Sequence, residues 1–472
     1  MWKSLLLTAW FCACASCAAK AQNLCPAGVT SDKLICVIPQ AFGLSESLPL
    51  ASGNKSQFQV DALNQALRPL DSAVARESAL LPLASPSSGI TYSWDPGSRT
   101  FVSSTDSLGP ILSERAETVG RYRAFLGLTY QFFKFDTLDG TDLKKLPVVL
   151  AQLDDSESVP GRTCSAELPD NTSNSGPCGF IRDIVSTTTR IDLKIHQTTF
   201  FATYGITNKI DISMAVPILN VRLGVLSTAT IINNSLSFKH SFADCDCLVK
   251  SFSNFRSASG IGDMTFRVKG TAWKGERAAL ALGVDVRVPT GDQFNFLGAG
   301  AAGVKPFAVL SYHAKKISPH VFVGYEANGS SLIAGDISLG RKEKLPSQLT
   351  YSGGAEVRFS RWITGAFDLV GQQVFQARRI TGTAFQELGA CNDSFCGECP
   401  QPPGSCSSSF LPPNTLKTLS TATGSYNVTN ASIGAKIRPV ASLIVVANMQ
   451  VKLNDDGLRA KIVPLVGISY TF

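Results

Sequence analysis

The last fifteen residues, Leu458 to Phe472, read LRAKIVPLVGISYTF, and their spacing decides how the rest of the chain is read. Counting back from the end, Phe472, Tyr470, Ile468, Val466, Pro464 and Ile462 are apolar at every second position, with Thr471, Ser469 and Gly467 between them. A period of two is strand geometry, because successive side chains point to opposite faces. A buried edge strand of a soluble sandwich ends the same way, so the choice falls to the remaining sequence.

Working back, eleven more alternating runs precede the last one, at 121–136, 187–203, 209–220, 263–273, 277–289, 304–314, 319–327, 348–359, 363–375, 426–438 and 441–453. Their connections alternate between long and short: 137–186 is long and 204–208 short, 230–260 long and 274–276 short. The pattern continues through 290–303, 314–318, 328–346, 360–362, 377–424 and 439–440, and only 454–458 is short on the long side. In the third run Ile210, Ile212, Met214, Val216 and Ile218 share one face, and a phase slip near Pro217 to Asn220 suggests a bulge.

Twelve strands with long loops on one side and short turns on the other predict a transmembrane antiparallel up-and-down β-barrel. In lipid every backbone N–H and C=O must be paired internally, so the sheet has to close. The final strand itself, ending on Phe472 with an aromatic two residues earlier, resembles the closing strand of bacterial outer-membrane barrels. An even strand number puts both ends of the barrel on the periplasmic side.

Bulk composition agrees. Only 17% of the 472 residues are charged, yet no apolar run of membrane-helix length follows the N-terminus. Residues 1–21 read as a secretory signal: Lys3, an apolar run from Leu5 to Ala15, and Ala19-Lys20-Ala21 as a small-x-small cleavage site. Cys17 is a weak match to a lipidation site, because Cys14-Ala15-Ser16 lacks the usual Leu. The net charge of +7 falls to +5 once Lys3 and Lys20 leave, and no basic block interleaved with aromatics exists, so nucleic acid is not an expected partner.

Residues 22–118 are not barrel-like. Residues 58–82 carry helical spacing, and Ile90 to Trp94 and Thr100 to Ser104 flank the turn Asp95-Pro96-Gly97-Ser98. A helix and hairpin ahead of a barrel make a lumen plug or periplasmic cap, or else a loose extension. The expected division is therefore signal 1–21, N-terminal segment 22–118 and barrel 119–472.

Ten cysteines remain after the signal: Cys25, Cys36, Cys164, Cys178, Cys245, Cys247, Cys391, Cys396, Cys399 and Cys406. An even count in an exported chain implies disulfides. Cys25 with Cys36 closes a small loop and Cys164 with Cys178 staples a long one. Cys245 and Cys247 stand close for a direct bridge, and pairing elsewhere is open. Cys396-Gly397-Glu398-Cys399 has C-x-x-C spacing, but in an extracellular loop bridges outweigh zinc. No metal and no cofactor is expected.

The alternating runs assign a polar, lumen-facing set: Arg190, Asp192, Lys194, His196, Arg267, Lys269, Asp285, Arg287, Glu356, Arg358, Asp368, Lys436 and Arg438, with Asp211, Glu326 and Lys452 beside them. Ile191, Leu193, Ile195, Thr199 and Phe201 fall on the opposite, lipid-facing side of the second run. The inward set lines either a solute path or a salt-bridged wall. Gly298, Gly300 and Gly303 match G-x-G-x-x-G, but a strand rather than a helix follows, so they read as an outer loop. Among His196, His240, His313 and His320 no arrangement supports a hydrolase, and no catalytic residue is assigned.

Four stretches carry a family resemblance: SERAETVGRYRAFLGLTYQFFKFDTLDG (113–140), YGITNKIDIS (204–213), SGIGDMTFRVKG (259–270) and VPTGDQFNFLGAGAAGVKPF (288–307). They resemble the bacterial outer-membrane transporter family of the meta-pathway of phenol degradation. That resemblance implies a barrel over roughly 113–472 and uptake of aromatic or hydrophobic compounds. The expected function is passive passage of small solutes across the bacterial outer membrane. The expected partners are the membrane lipid, the solute, and the barrel-assembly machinery through the C-terminal strand. The alternative is a surface recognition barrel whose disulfide-bridged loops bind a partner.

Overall fold

The structure, a computed structural model, describes residues 25, 29–42, 48–51, 70, 73–78, 92–95, 100–103, 108–151, 184–233, 240–314, 316–336, 340–386, 415–440 and 442–472. Twelve strands form its wall: β1 Ala124–Leu138, β2 Ile184–Gly205, β3 Ile210–Ile232, β4 Met264–Lys274, β5 Ala278–Val288 and β6 Gly303–Tyr312. They continue with β7 Ile317–Asn328, β8 Gln348–Arg358, β9 Ile363–Gln386, β10 Thr415–Val440, β11 Leu443–Lys452 and β12 Ile462–Thr471. Each pairs antiparallel with its neighbour in sequence. Pairing of β12 with β1, from Leu465↔Gln131 to Thr471↔Phe125, closes the cylinder. The expected twelve-stranded barrel is thus the fold. Among the described residues no helix is long and apolar enough to cross a membrane.

The outward face is apolar where a bilayer would sit. Leu128, Val268, Leu282, Val284, Val321, Phe367, Val466 and Ile468 are all exposed. Tyr122, Tyr204, Trp273, Tyr312, Trp362, Tyr470 and Phe472 stand outward near the short turns, an aromatic girdle at one interface. Where the chain enters β1 the backbone is tight. Gly120 sits at φ 100°, and a Cβ on Gly205 would collide with its carbonyl oxygen, so both positions need glycine.

Several expected loops are strand. Val249–Ile261 pairs with the upper part of β3, and β9 and β10 extend as a long hairpin through 375–386 and 415–425. Ser330–Asp336 pairs with Arg341–Lys344. Ten residues of tilted strand rise roughly 25 Å, the height of the apolar band. The 23 residues of β3 and the 26 of β10 therefore project well beyond it as a crown.

The expected bulge in β3 is not there: β2 and β3 pair without interruption from Ile184↔Ile232 to Gly205↔Asp211. The irregularity lies on the next strand, at Gly262 and Asp263, where pairing passes from Val249–Ile261 to β4 and the Gly262 N–H bonds the Pro217 carbonyl. Even-numbered residues of β3 stay outward throughout, so what changes near Pro217 is polarity, not phase.

In the N-terminal segment, Leu70 and Ala73–Ser78 are helical and Tyr92–Asp95 pairs with Thr100–Ser103; the rest of the expected helix lies outside the described residues. Leu34, Ile35, Val37, Ile38, Phe42, Leu48, Leu50 and Val74 are buried in one cluster with Leu193, Ile195, Val221 and Leu223 of β2 and β3. The largest apolar core therefore lies inside the crown.

Candidate functional site: the lumen and its N-terminal strap

Residues 108–120 run through the barrel as a strap, nearly all of them buried. Its bonds reach strands on opposite sides of the bore. Lys436 of β10 donates to the carbonyls of Leu108 (3.1 Å) and Pro110 (2.6 Å), and Thr364 of β9 accepts from the Leu108 N–H at 3.3 Å. Ser113 meets Ser352 of β8 at 2.7 Å, and Ser311 of β6 accepts from the Ala116 N–H at 3.0 Å. Asp211 of β3 accepts from the Val119 N–H at 2.9 Å.

Charge fixes the centre of the strap. Glu114 pairs with Arg267 and, at 3.1 Å, with Lys269, both on β4. Arg267 also takes Asp285 of β5 in a two-point bond, at 2.6 and 2.8 Å. Lys269 adds bonds to the carbonyls of Arg115 and Glu117, and Lys305 joins Asp285 at 3.1 Å. Glu117 bonds His313. Buried ions this well paired resist loss of any one partner, because the remaining charge would be stranded.

The sequence-assigned lumen residues divide into two groups. Arg267, Lys269, Asp285, Glu356, Asp368 and Lys436 are buried inward, with His320 bonded to Asp368 at 2.6 Å and 3.8 Å from Glu356. Arg287 faces in as well. It holds Asp263 at 3.0 Å and Glu326 at 3.2 Å, beneath a loop whose Phe296, Leu297, Ala299 and Ala301 are buried. The Gly298-Gly300-Gly303 segment therefore folds inward rather than standing free outside. Arg358 and Arg438 are half-buried near the short-turn rim, where Arg438 bonds the Arg361 carbonyl at 2.7 Å.

Arg190, Asp192, Lys194 and His196 point the other way. In β2 the buried positions are Ile191, Leu193, Ile195, Gln197, Thr199 and Phe201, and the polar set faces outward. The reason is physical. This half of β2 belongs to the crown, where water lies outside and the apolar N-terminal segment lies inside, so the usual polarity of a barrel wall is reversed.

Above the strap one side of the lumen keeps a cavity of about 70 Å³. Phe133, Phe135, Val374, Tyr426, Val428, Leu458 and Val463 supply apolar walls, and Gln348, Gln372, Asn430 and Gln450 supply amides. The Gln450 amide nitrogen is buried and has no hydrogen-bond partner among the described residues. Glu77 from the N-terminal helix closes the cavity by bonding the Tyr426 hydroxyl. Apolar walls with one spare amide donor suit a small solute that is mostly apolar and carries an acceptor.

Glu114, Glu117 and the cavity amides were not singled out from the sequence. Glu114 and Glu117 do fall in the family-like stretch at 113–140, which was the available signal. Cys25 is bonded to Cys36, and Cys245 directly to Cys247. Cys164, Cys178, Cys391, Cys396, Cys399 and Cys406 lie outside the described residues, as does the expected signal segment.

Residues 182–376 match the family described as "Putative MetA-pathway of phenol degradation", the resemblance read above. No curated protein sequence matches the chain. Among solved structures, an outer membrane channel from Pseudomonas putida F1 aligns at 11% identity over 76% of this chain and 99% of that one, TM-score 0.37. The CymD monoaromatic hydrocarbon channel aligns at 9% identity over 75% and 89%, TM-score 0.30. A Pseudomonas aeruginosa FadL homologue aligns at 10% over 74% and 90%, TM-score 0.29.

Proposed function

We propose, with the family match over residues 182–376 as premise, that the chain is a narrow outer-membrane channel for passive passage of small, partly apolar solutes, aromatic compounds among them. The observation that carries this reading is the cavity above the strap: a lumen pocket lined by Phe133, Phe135 and Tyr426 and by Gln450, whose amide nitrogen has no hydrogen-bond partner among the described residues. The N-terminal segment sets the bore, the strap 108–120 being its narrowest point. The signal at 1–21 delivers the chain to the periplasm, and the closing strand ending at Phe472 is handed to the barrel-assembly machinery.

Swelling of proteoliposomes tests this. Wild-type protein passes phenol-sized solutes faster than a trisaccharide. Phe133→Trp, which fills the cavity, slows phenol entry severalfold while the folded barrel still migrates as a heat-modifiable species. A barrel that passes neither solute and binds no phenol contradicts the reading.

A further inference from the structure

The outward face of β1, β2 and β3 carries a row of cations that the solute path does not use. Lys134 stands opposite Lys194, and Lys194 opposite Arg222, in directly paired positions on three adjacent strands. All three side chains point away from the lumen. Side chains directly opposite on one face lie about 5 Å apart, and like charges so placed repel. Arg190 lies outward on β2 four residues beyond Lys194. The carboxylates within this patch are Asp192, 2.8 Å from Lys194, and Asp136, which accepts the Lys461 N–H at 2.9 Å.

The height of the row is informative. Lys134 is ten residues up β1 from Ala124, roughly 25 Å along the barrel axis, which is where the apolar band ends. Immediately below it His196 bonds the Tyr130 hydroxyl at 2.7 Å and packs on Phe132 at 4.8 Å, and below these Leu128, Leu126 and Phe200 are exposed. Positive charge directly above an aromatic shelf and an apolar wall is complementary to a lipid with a multiply anionic headgroup. At the opposite rim the exposed cations Arg121, Lys209, Lys274, Arg277, Lys316 and Arg361 are spread over the short turns, with Lys274 and Arg277 on one of them, and form no directly paired row across adjacent strands.

We propose that β1–β3 carry an outward-facing site for a phosphorylated lipid of the outer leaflet. Its phosphates sit on Lys134, Lys194 and Arg222 and its acyl chains lie against Leu126, Leu128 and Phe200. A bound polyanion turns the repulsion within the row into attraction. The assignment of this rim to the outer leaflet rests on the outer-membrane reading above; conductance, measured separately, keeps failure of one distinguishable from failure of the other.

The test uses the folded full-length protein in detergent, titrated with lipid A bearing both phosphates and with dephosphorylated lipid A, complexes being counted by native mass spectrometry. Wild type binds the phosphorylated form at least tenfold tighter than K134Q/K194Q/R222Q, and added salt weakens that binding. The dephosphorylated form binds both proteins alike. K209Q/K274Q, at the other rim, keeps wild-type affinity, and conductance is unchanged in both variants. Should the triple variant fold poorly, R222Q alone, checked by heat-modifiable migration, loses affinity in the same direction. The proposal is overturned if folded variants bind phosphorylated lipid A as wild type does, if removing the phosphates changes nothing, or if the control rim contributes equally.

Discussion

Glu114→Ala releases the strap and raises single-channel conductance severalfold in planar bilayers. Among the described residues Glu114 is the one carboxylate that pairs with both Arg267 and Lys269. Arg267 keeps Asp285 when Glu114 is lost, but the remaining hydrogen bonds of Lys269 among the described residues are to carbonyls of the strap itself, with Asp211 opposite it on β3 as the remaining carboxylate. Breaking a buried pair in this way costs about 3–5 kcal/mol. The strap's other charged anchors, Lys436 on the Leu108 and Pro110 carbonyls, Asp211 on the Val119 N–H and Glu117 on His313, lie toward its two ends, and its middle is otherwise held by neutral hydrogen bonds of about 1 kcal/mol each, so the loss frees the centre of the strap. Adding Lys269→Met removes the stranded charge, so the unfolding midpoint of the barrel recovers while conductance stays high. If conductance in Glu114→Ala equals wild type, the strap does not limit the bore.

Leu193→Lys destabilises the protein by about 3–5 kcal/mol, whereas its neighbour change Lys194→Leu stays within about 0.5 kcal/mol. Leu193 is fully buried in the crown core and pairs with Leu223 across the sheet. Lys194 is outward and half-exposed. A barrel wall with a watery interior throughout would give the reverse order. Urea unfolding midpoints of the two variants in lipid vesicles decide between them.

This pair of residues marks where sequence reading reached and where it stopped. Period two locates a strand whatever surrounds it, which is why all twelve wall strands were legible from alternation and turn chemistry. Period two does not say which face is inside. Below the membrane edge the rule "apolar outward" holds, and Val284 beside Asp285 obeys it. Above that edge the surroundings swap, and Arg190 to His196 were read on the wrong side because nothing local announces the swap. In β3 the buried Leu219, packed into the apolar core, and the outward Asn220 give a similarly misleading polarity near Pro217.

The strap was hidden for a different reason. Residues 108–120, LGPILSERAETVG, have no period, and charged residues without a period read as a solvated loop. Glu114 finds its partners some 153 and 155 positions away, a separation no local pattern encodes. The cavity is likewise assembled from the N-terminal helix, β1, β8, β9, β10, β11 and the entry to β12, each supplying between one and four residues. By contrast Arg267, Lys269, Asp285, Asp368 and Lys436 are buried on the polar face that alternation assigns, because their strands lie within the band where lipid enforces the alternation.

The most direct measurement of whether the strap sets the bore is a reversible lock on it. Ser113 and Ser352 are 2.7 Å apart across the strap–wall contact, so Ser113→Cys and Ser352→Cys can be joined. In a Glu114→Ala background, oxidation of that pair returns conductance to the wild-type level and reduction raises it again, while Glu114→Ala without the pair ignores both treatments. Conductance that stays high with the pair demonstrably oxidised would contradict the account.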